Sequence, residues 1–509
     1  MSNHLTRRRR LGAGACAAVL LGAAFLAGPA AATPAATPAA EPPSTPVPIA
    51  TPDGMLMSYV VNAKQANPGQ TRLVEQAVRK AGGTVVQSWP QIGVVVAHST
   101  SADFRTEVVA AKGNAVQSVG ATRTAEVTEG TPAVGDTPRT PGSRGASQYK
   151  KANGQPRLGG FVAGEVFDVA PAADPREGEQ WDMVQINADD AQAVTDGARS
   201  VLVGVLDSGI ESTHPDLAPN IDAAASVSCI DAGRPDTSAG AWEPTTSAHG
   251  THVAGTIAAA RNGTGIVGVA PNVRMASVKV VNDDGFIYPE YAVCGFVWAA
   301  EQGMDVTNNS YYVDPFEFWC DDQSDQAAAK EAVRRAVAYS ERKGVVSVAA
   351  AGNSAYDLAN KTTNASSPND TTAVDRTINS GCHDIPTEFP GVVTVSATTQ
   401  TEALASFSNR GLDVIDVAAP GSSILSTYTG GRYARLSGTS MASPHVAGVA
   451  ALVVSAHPEY TPAQVVTALR EQARDKACTT TTRGAACEGA DVNNSFYGEG
   501  ITDALAAIG

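Results

Sequence analysis

Apolar positions recur along this chain in two rhythms, short continuous runs and repeats spaced by three and four, and the change of rhythm marks its parts. From position 55, Leu56-Met57-Ser58-Tyr59-Val60-Val61 reads as a strand. Residues 71–81 follow with Leu73, Val74, Ala77 and Val78 on one helical face. Residues 84–86 and 94–96 are β-branched runs, and 102–111 again has helical spacing. This β-α-β-β-α-β order predicts a small ferredoxin-like α+β unit over 55–127. That fold hosts many roles and by itself names none.

A larger unit spans 174–509. Near-continuous apolar strands at 201–206, 275–281, around 306, 345–350 and 392–397 alternate with helical stretches at 188–195, 250–260, 291–302, 326–343 and 440–457. Strands apolar on both faces and joined by helices predict an α/β domain, a three-layer arrangement with a parallel sheet between helices. Two stretches lack either rhythm. Residues 33–54 are rich in Pro, Ala and Thr and are expected to be an extended, unpacked spacer. Residues 128–173, rich in Gly, Pro, Thr and Ala, are expected to be a linker exposed to proteolysis, with a cut between about Val127 and Asp174.

The first 32 residues have their own logic. Arg7 to Arg10 form a positive stretch, Leu11 to Ala27 an apolar one, and Ala30-Ala31-Ala32 offers a small-residue cleavage site. That is the pattern of an export signal, so the protein is expected to be secreted. Cys16 leaves with this leader. The other six cysteines (Cys229, Cys294, Cys320, Cys382, Cys478 and Cys487) suit disulfides in an oxidising compartment. Their spacing does not suggest zinc ligation. Cys478 and Cys487, close together in sequence, are expected to pair; the other pairings stay open.

Charge narrows the partners. The 509 residues carry a formal net charge of −15, and the leader holds only positive charge, so the mature chain is more acidic still. A phosphate backbone would be repelled, which excludes nucleic acid as an expected partner. No uncharged apolar run reaches the ~20 residues that a membrane span needs.

Three segments carry candidate chemistry. Val201 to Leu206 lead into Asp207-Ser208-Gly209, an apolar strand ending in a carboxylate and a glycine turn. Taken alone, Asp207 is as readily a turn cap. Ser247-Ala248-His249-Gly250-Thr251-His252 places a histidine at the mouth of an Ala/Gly-rich helix, while His252, further in, reads as a packed core residue. Gly438-Thr439-Ser440-Met441-Ala442-Ser443-Pro444-His445 sets a serine at a helix start, where an ordinary N-cap is the plain alternative. His445, inside that helix, reads as structural. Together the segments say more. A serine hydroxyl needs an imidazole to take its proton, and the imidazole needs a carboxylate to fix its tautomer. The order Asp, His, Ser is one of those on which unrelated folds have settled for this chemistry.

These residues resemble the subtilisin-like serine proteases (subtilases, peptidase family S8). The likeness rests on DSGI at 207–210 with HPDL at 214–217, HGTHVAGT at 249–256 and GTSMASPHVAGVAAL at 438–452. It implies a secreted serine endopeptidase acting on protein and peptide substrates, with Asp207, His249 and Ser440 as charge orienter, general base and nucleophile. It further implies Asn353, in Ala349-Ala350-Ala351-Gly352-Asn353, and the Ser440 backbone N–H as oxyanion donors. Ser310, Tyr311, Tyr312, Gly285, Ala351 and Gly352 would line the substrate cleft. The family pattern ends Ser-Leu-Gly where this chain has Ser310-Tyr311-Tyr312, so its side-chain preference does not carry over. By the same likeness, residues 55–127 resemble an inhibitor I9-like propeptide, an intramolecular chaperone and inhibitor removed by autoprocessing. No cofactor is implied for catalysis. A structural calcium ion is implied at Asp216, Asn262, Ala260, Thr264 and Ile266, with Asp174 resembling another calcium contact, and a monomer is expected. An esterase using the same triad is the rival reading, but no G-x-S-x-G elbow surrounds Ser440. An inactive binding protein on this scaffold would have lost a triad residue, and all three are present.

Overall fold

β-branched runs and the helices between them assemble into two main sheets. The computed structural model describes residues 41–129, the backbone of 162–167, and residues 176–478 and 484–509. The expected leader, the first part of the spacer, most of the linker and Asp174 lie outside the described residues.

The N-terminal sheet consists of β1 (Met57–Ala63), β2 (Thr84–Trp89), β3 (Val94–Ser99) and β4 (Val116–Ala121), in the order β2-β3-β1-β4 with antiparallel pairing throughout. Helices α1 (Pro68–Lys80) and α2 (Phe104–Lys112) complete the ferredoxin-like order. α1 begins three residues before the apolar rhythm does. Pro68 occupies its first turn, and the Asn67 side chain accepts the Gln70 N–H at 2.9 Å, which satisfies a donor that a helix start leaves open.

The larger unit opens with short helices α3 (Trp181–Gln185) and α4 (Ala188–Gln192). Its sheet is formed by β6 (Leu202–Asp207), β7 (Val227–Asp231), β8 (Arg234–Asp236), β9 (Arg274–Lys279), β10 (Val306–Asn309), β12 (Val346–Ala350), β16 (Val392–Thr398) and β17 (Val417–Pro420). The order is β17-β16-β12-β10-β6-β9-β7-β8, parallel except for the β8 edge. Helices α5 (His249–Ala258) and α8 (Thr439–Ala456) share the core of one face, α6 (Pro289–Glu301) and α7 (Ser324–Arg342) that of the other. α8 is long and apolar enough to cross a membrane, but 83% of it is buried in the protein, as befits a core helix.

Two expectations need correction. Within the linker, β5 (Val162–Phe167) pairs antiparallel with β19 (Arg432–Ser437), which forms a hairpin with β18 (Ile424–Tyr428). The open edge of that hairpin offers unpaired backbone groups to a short β-prone run. The spacer is not unpacked over its second part. The Ser44 N–H and hydroxyl donate to Asp322 at 2.7 and 2.6 Å, the Thr45 N–H donates to the Thr377 carbonyl at 2.9 Å, and Val47 and Ile49 are buried.

The ferredoxin-like sheet packs against α6 and α7, so both of its faces are covered. Arg105 forms a two-pronged pair with Asp325, and the Asn62 amide donates to the Ala328 carbonyl at 2.8 Å. Arg335 of α7 reaches back to the carbonyls of Ala63, Ile92 and Gly93. Deepest lies Arg123, 2% exposed, paired with the fully buried Glu290 of α6 and with Glu129 at 2.8 Å. Its guanidinium carbon sits 3.7 Å from the centroid of the Tyr288 ring.

Three disulfides staple the larger unit. Cys478 joins Cys487, as expected; Cys229 of β7 joins Cys294 of α6, and Cys320 joins Cys382. The last links the paired two-residue strands β11 (Trp319–Cys320) and β15 (Cys382–His383), in an excursion that also holds β13 (Thr363–Asn364) and β14 (Arg376–Thr377).

Candidate active site

The site is built on the carboxyl ends of three adjacent strands, β6, β10 and β12. In a parallel sheet such strands stand about 4.8 Å apart, so groups just past their ends are close in space. Asp207 closes β6 and is 1% exposed. Its two carboxylate oxygens each lie 2.9 Å from Nδ1 of His249, the first residue of α5. The next residue in that helix must be small: a Cβ on Gly250 would stand 2.5 Å from the Gly209 carbonyl oxygen and 3.1 Å from the Asp207 side chain. Ser208 braces the pair by accepting the Gly250 N–H at 3.0 Å.

Ser440 lies in the first turn of α8 and is tied to the end of β10. Its hydroxyl donates to the Ser310 carbonyl at 3.2 Å, and the Ser310 hydroxyl donates to the Ser440 carbonyl at 3.0 Å. Asn308 supports this contact: its amide donates to the Ser310 hydroxyl at 2.9 Å, and its oxygen accepts the Ser443 hydroxyl at 2.7 Å. Past β12, the Asn353 side-chain oxygen accepts both the N–H and the hydroxyl of Thr439, at 2.8 and 3.0 Å. Leu206 and Asn309 stand opposite each other in the β6–β10 register, so Asp207, which holds His249, and Ser310, which holds Ser440, follow at one edge of the sheet.

Sequence reasoning missed Asn409. Its amide donates to the Ala351 carbonyl at 2.7 Å, and its oxygen accepts the N–H groups of Ser354 and Tyr356 at 3.1 and 2.8 Å, so it shapes the loop that presents Asn353. Gly352, at φ +99°, has no room for a side chain, because a Cβ would stand 2.3 Å from the Asn409 amide. Asn409 follows a stretch without periodicity, and no local signal announces it.

Among the other candidates, Tyr311 is buried, and its hydroxyl donates to the Asn309 side chain at 3.1 Å. The half-buried Tyr312 accepts the Asn369 amide at 3.0 Å. Burial is the largest influence raising both phenols. Gly285 lies in the turn between β9 and α6, at φ +90°. His252 and His445 are structural. His252 Nε2 faces the Ile424 and Ala434 carbonyls at 3.1 Å, and burial pushes it down to about 3, so it stays neutral. His445 bridges the Met441 carbonyl and Asp182.

The metal candidates gather around the fully buried Asp216. The Ala260 N–H donates to its carbonyl at 2.7 Å, the Ile266 N–H to its side chain at 3.0 Å, and the Asn262 amide to the Pro215 carbonyl at 3.1 Å. The 260–266 loop thus wraps the Asp216 carboxylate and meets it with N–H donors, while Asp216 and Asn262 themselves carry the hard oxygen atoms that calcium takes. Tyr433 also donates its hydroxyl to Asp216, at 2.8 Å. Another group within ligating reach among the described residues, Cys320, Asp322 and Cys382, is taken up by a disulfide and by Ser44.

A buried acid–imidazole pair and a serine at a helix start thus lie at the carboxyl edge of a parallel α/β sheet, where such folds carry their sites. The family model described as Subtilase family, Peptidase_S8, matches residues 198–500. The chain is 35% identical to Subtilisin DY of Bacillus licheniformis over 323 residues, covering 63% of this chain and 96% of that one. It is 37% identical to Subtilisin E of Bacillus subtilis over 309 residues, covering 60% of this chain and 65% of that one. Its fold is similar to that of a point mutant of the epidermin leader peptide processing serine protease of Staphylococcus aureus, with a TM-score of 0.62 at 21% identity over 89% of this chain and 99% of the other. The chain belongs to the subtilase family and is a serine endopeptidase.

Proposed function

We propose that the protein is a secreted endopeptidase made as a zymogen, hydrolysing peptide bonds through Asp207, His249 and Ser440. The observation that carries this reading is the buried His249–Asp207 pair at 2.9 Å, on the same sheet edge as a serine at a helix start. Asp207 fixes the proton on Nδ1, which leaves Nε2 to take the Ser440 proton as the hydroxyl attacks the carbonyl. The developing oxyanion is met by the Ser440 N–H at the positive end of α8 and by the Asn353 amide. His249 then returns the proton to the leaving amine, and water releases the acyl group by the reverse sequence.

The 55–127 unit acts as propeptide, chaperone and inhibitor. Its sheet covers α6 and α7, and the 41–54 arm adds a second hold on Asp322 and Thr377. Ser440 itself makes the cut within 128–173, and residues 1–32 direct export. The mature enzyme works as a monomer. A calcium ion held by Asp216, Asn262 and the carbonyls of Ala260, Thr264 and Ile266 would serve structure alone, by neutralising a buried carboxylate.

A fluorophosphonate probe tests the core of this reading. It should label the mature enzyme at Ser440, and Ser440→Ala should abolish both labelling and hydrolysis while leaving a full-length, uncut precursor. Full activity in that variant would overturn the mechanism, and a purified variant that still matures would place the cut with another protease.

A further inference from the structure

Among the buried carboxylates beside the candidate site that the mechanism does not use, Asp384 stands out. Asp384 is 2% exposed, and one of its carboxylate oxygens lies 3.6 Å from where a Cβ on Gly352 would stand, next to Asn353. Its other oxygen, Oδ1, is buried and meets no hydrogen-bond donor. A bare carboxylate in such a place is costly unless something compensates it.

Its neighbours are carboxylates whose needs are met. Glu317 accepts the hydroxyls of Ser354 and Ser366 and the Asn364 amide, at 2.9, 2.5 and 2.9 Å. Glu388 pairs with Lys361 at 2.6 Å and takes the Asp384 backbone N–H with its other oxygen. Burial, then Glu388 and Glu317, push the Asp384 carboxyl well above the usual range, and Lys361 pulls the other way. The charge deficit of this corner therefore falls on Asp384. The same corner adjoins both strand-end segments of the expected cleft: Asp384 lies 3.6 Å from where a Cβ on Gly352 would stand, and the charges of Asp314, Glu317 and Asp384 all raise the Tyr312 phenol.

We propose that Asp384 is the specificity-determining residue at the base of the pocket for the side chain preceding the scissile bond, and that it selects lysine or arginine there. An ammonium or guanidinium group is the ligand that a buried, donorless carboxylate lacks, and a long alkyl stem lets it reach such a depth while the peptide carbonyl stays at Ser440. An acidic side chain would add a fourth carboxylate to the corner. A neutral aliphatic or aromatic one would leave the raised Asp384 carboxyl protonated and without an ionic partner.

This inference rests on the triad reading, and the experiment separates the two. Mature enzyme, its active sites counted with the fluorophosphonate probe, is assayed on peptides differing only before the scissile bond: Lys, Arg, Leu, Phe or Glu. The expected kcat/KM for Lys and Arg exceeds that for Leu and Phe by about tenfold or more, with Glu the poorest. Asp384→Asn should lower the Lys-to-Leu ratio by about 30-fold. Asp384→Glu, which restores the charge, should keep the preference for a basic residue. Benzamidine, a free cation of the right shape, should inhibit the unaltered enzyme competitively, a readout that needs no variant to fold. A labelled, active enzyme that favours Leu or Phe, or ignores benzamidine, overturns the Asp384 assignment and leaves the triad standing. An enzyme that the probe does not label overturns both.

Discussion

The contact holding the ferredoxin-like unit to the larger one centres on Arg123, and its loss has a calculable effect. Arg123 and Glu290 are 2% and 0% exposed, so water does not take over the role of either partner. Arg123→Met removes the pair with Glu290, the pair with Glu129 and the cation over Tyr288, leaving Glu290 with the Ser58 hydroxyl at 2.9 Å. Breaking one side of a buried pair costs about 3–5 kcal/mol, and the lower figure corresponds to about 150-fold in a binding constant. The Arg105–Asp325 pair, with side chains 26% and 14% exposed, is screened by water and should count for about 1 kcal/mol. The assay uses the full-length chain. Gel electrophoresis times the first cut, a fluorogenic peptide times the rise of activity, and the lag between them reports how long the severed unit stays bound. A precursor that cuts itself has folded, which guards against misreading a folding defect. Arg123→Met should shorten the lag by about 100-fold and Arg105→Met by less than about tenfold. A lag within about threefold of normal in Arg123→Met would refute the idea that this buried pair governs release.

Acid should loosen the same region. Burial, then Arg123, push His98 down to about 4, so the fold holds it neutral while the unfolded chain protonates near 6.5. Its contribution is complete above pH 6.5 and is lost as pH falls towards 4, at most about 3 kcal/mol; melts of the Ser440→Ala precursor at pH 7.5 and 4.5 should show it. His98→Phe should shrink that difference, and an unchanged one would exonerate His98. Asn353→Ala should lower kcat by about 10²–10³ with little change in KM, the magnitude known for an oxyanion-hole asparagine of a subtilisin. A drop of less than tenfold in steady-state kinetics would remove Asn353 from the oxyanion role. Excess EDTA should lower the melting temperature of the mature enzyme, with recovery on added calcium, and an unmoved transition would argue against an ion at Asp216.

The parts legible in the sequence are those whose physics is local. Strand and helix rhythms announced the sheet because each apolar run is buried within its own element, and the ends moved by only a few residues where caps such as Asn67 and Pro68 outweigh the rhythm. The Asp207 and His249 motifs were readable because small residues are forced there: Gly250 must let Asp207 approach, whatever surrounds them. Cys478 and Cys487 are nine positions apart, so their pairing needed no tertiary information. Cys229 and Cys294 meet only because α6 lies against β7, and Cys320 and Cys382 only because β11 pairs with β15.

The parts that stayed hidden depend on distant partners. Ser44 and Thr45 look like spacer residues until Asp322 and Thr377 are beside them. Asn409 belongs to no motif, yet it sets the loop carrying Asn353. Asp384 is the sharpest instance, since nothing nearby in the sequence distinguishes it from Glu388, and the two differ only in what reaches them: Lys361 serves one and no donor serves Oδ1 of the other. The division has a physical cause. Bond-making groups must be held within tenths of an ångström, which constrains their immediate neighbours and writes a motif. A pocket that chooses a side chain needs only charge and depth, which any loop folded over the strand ends can supply, so selectivity leaves little trace until the chain is folded.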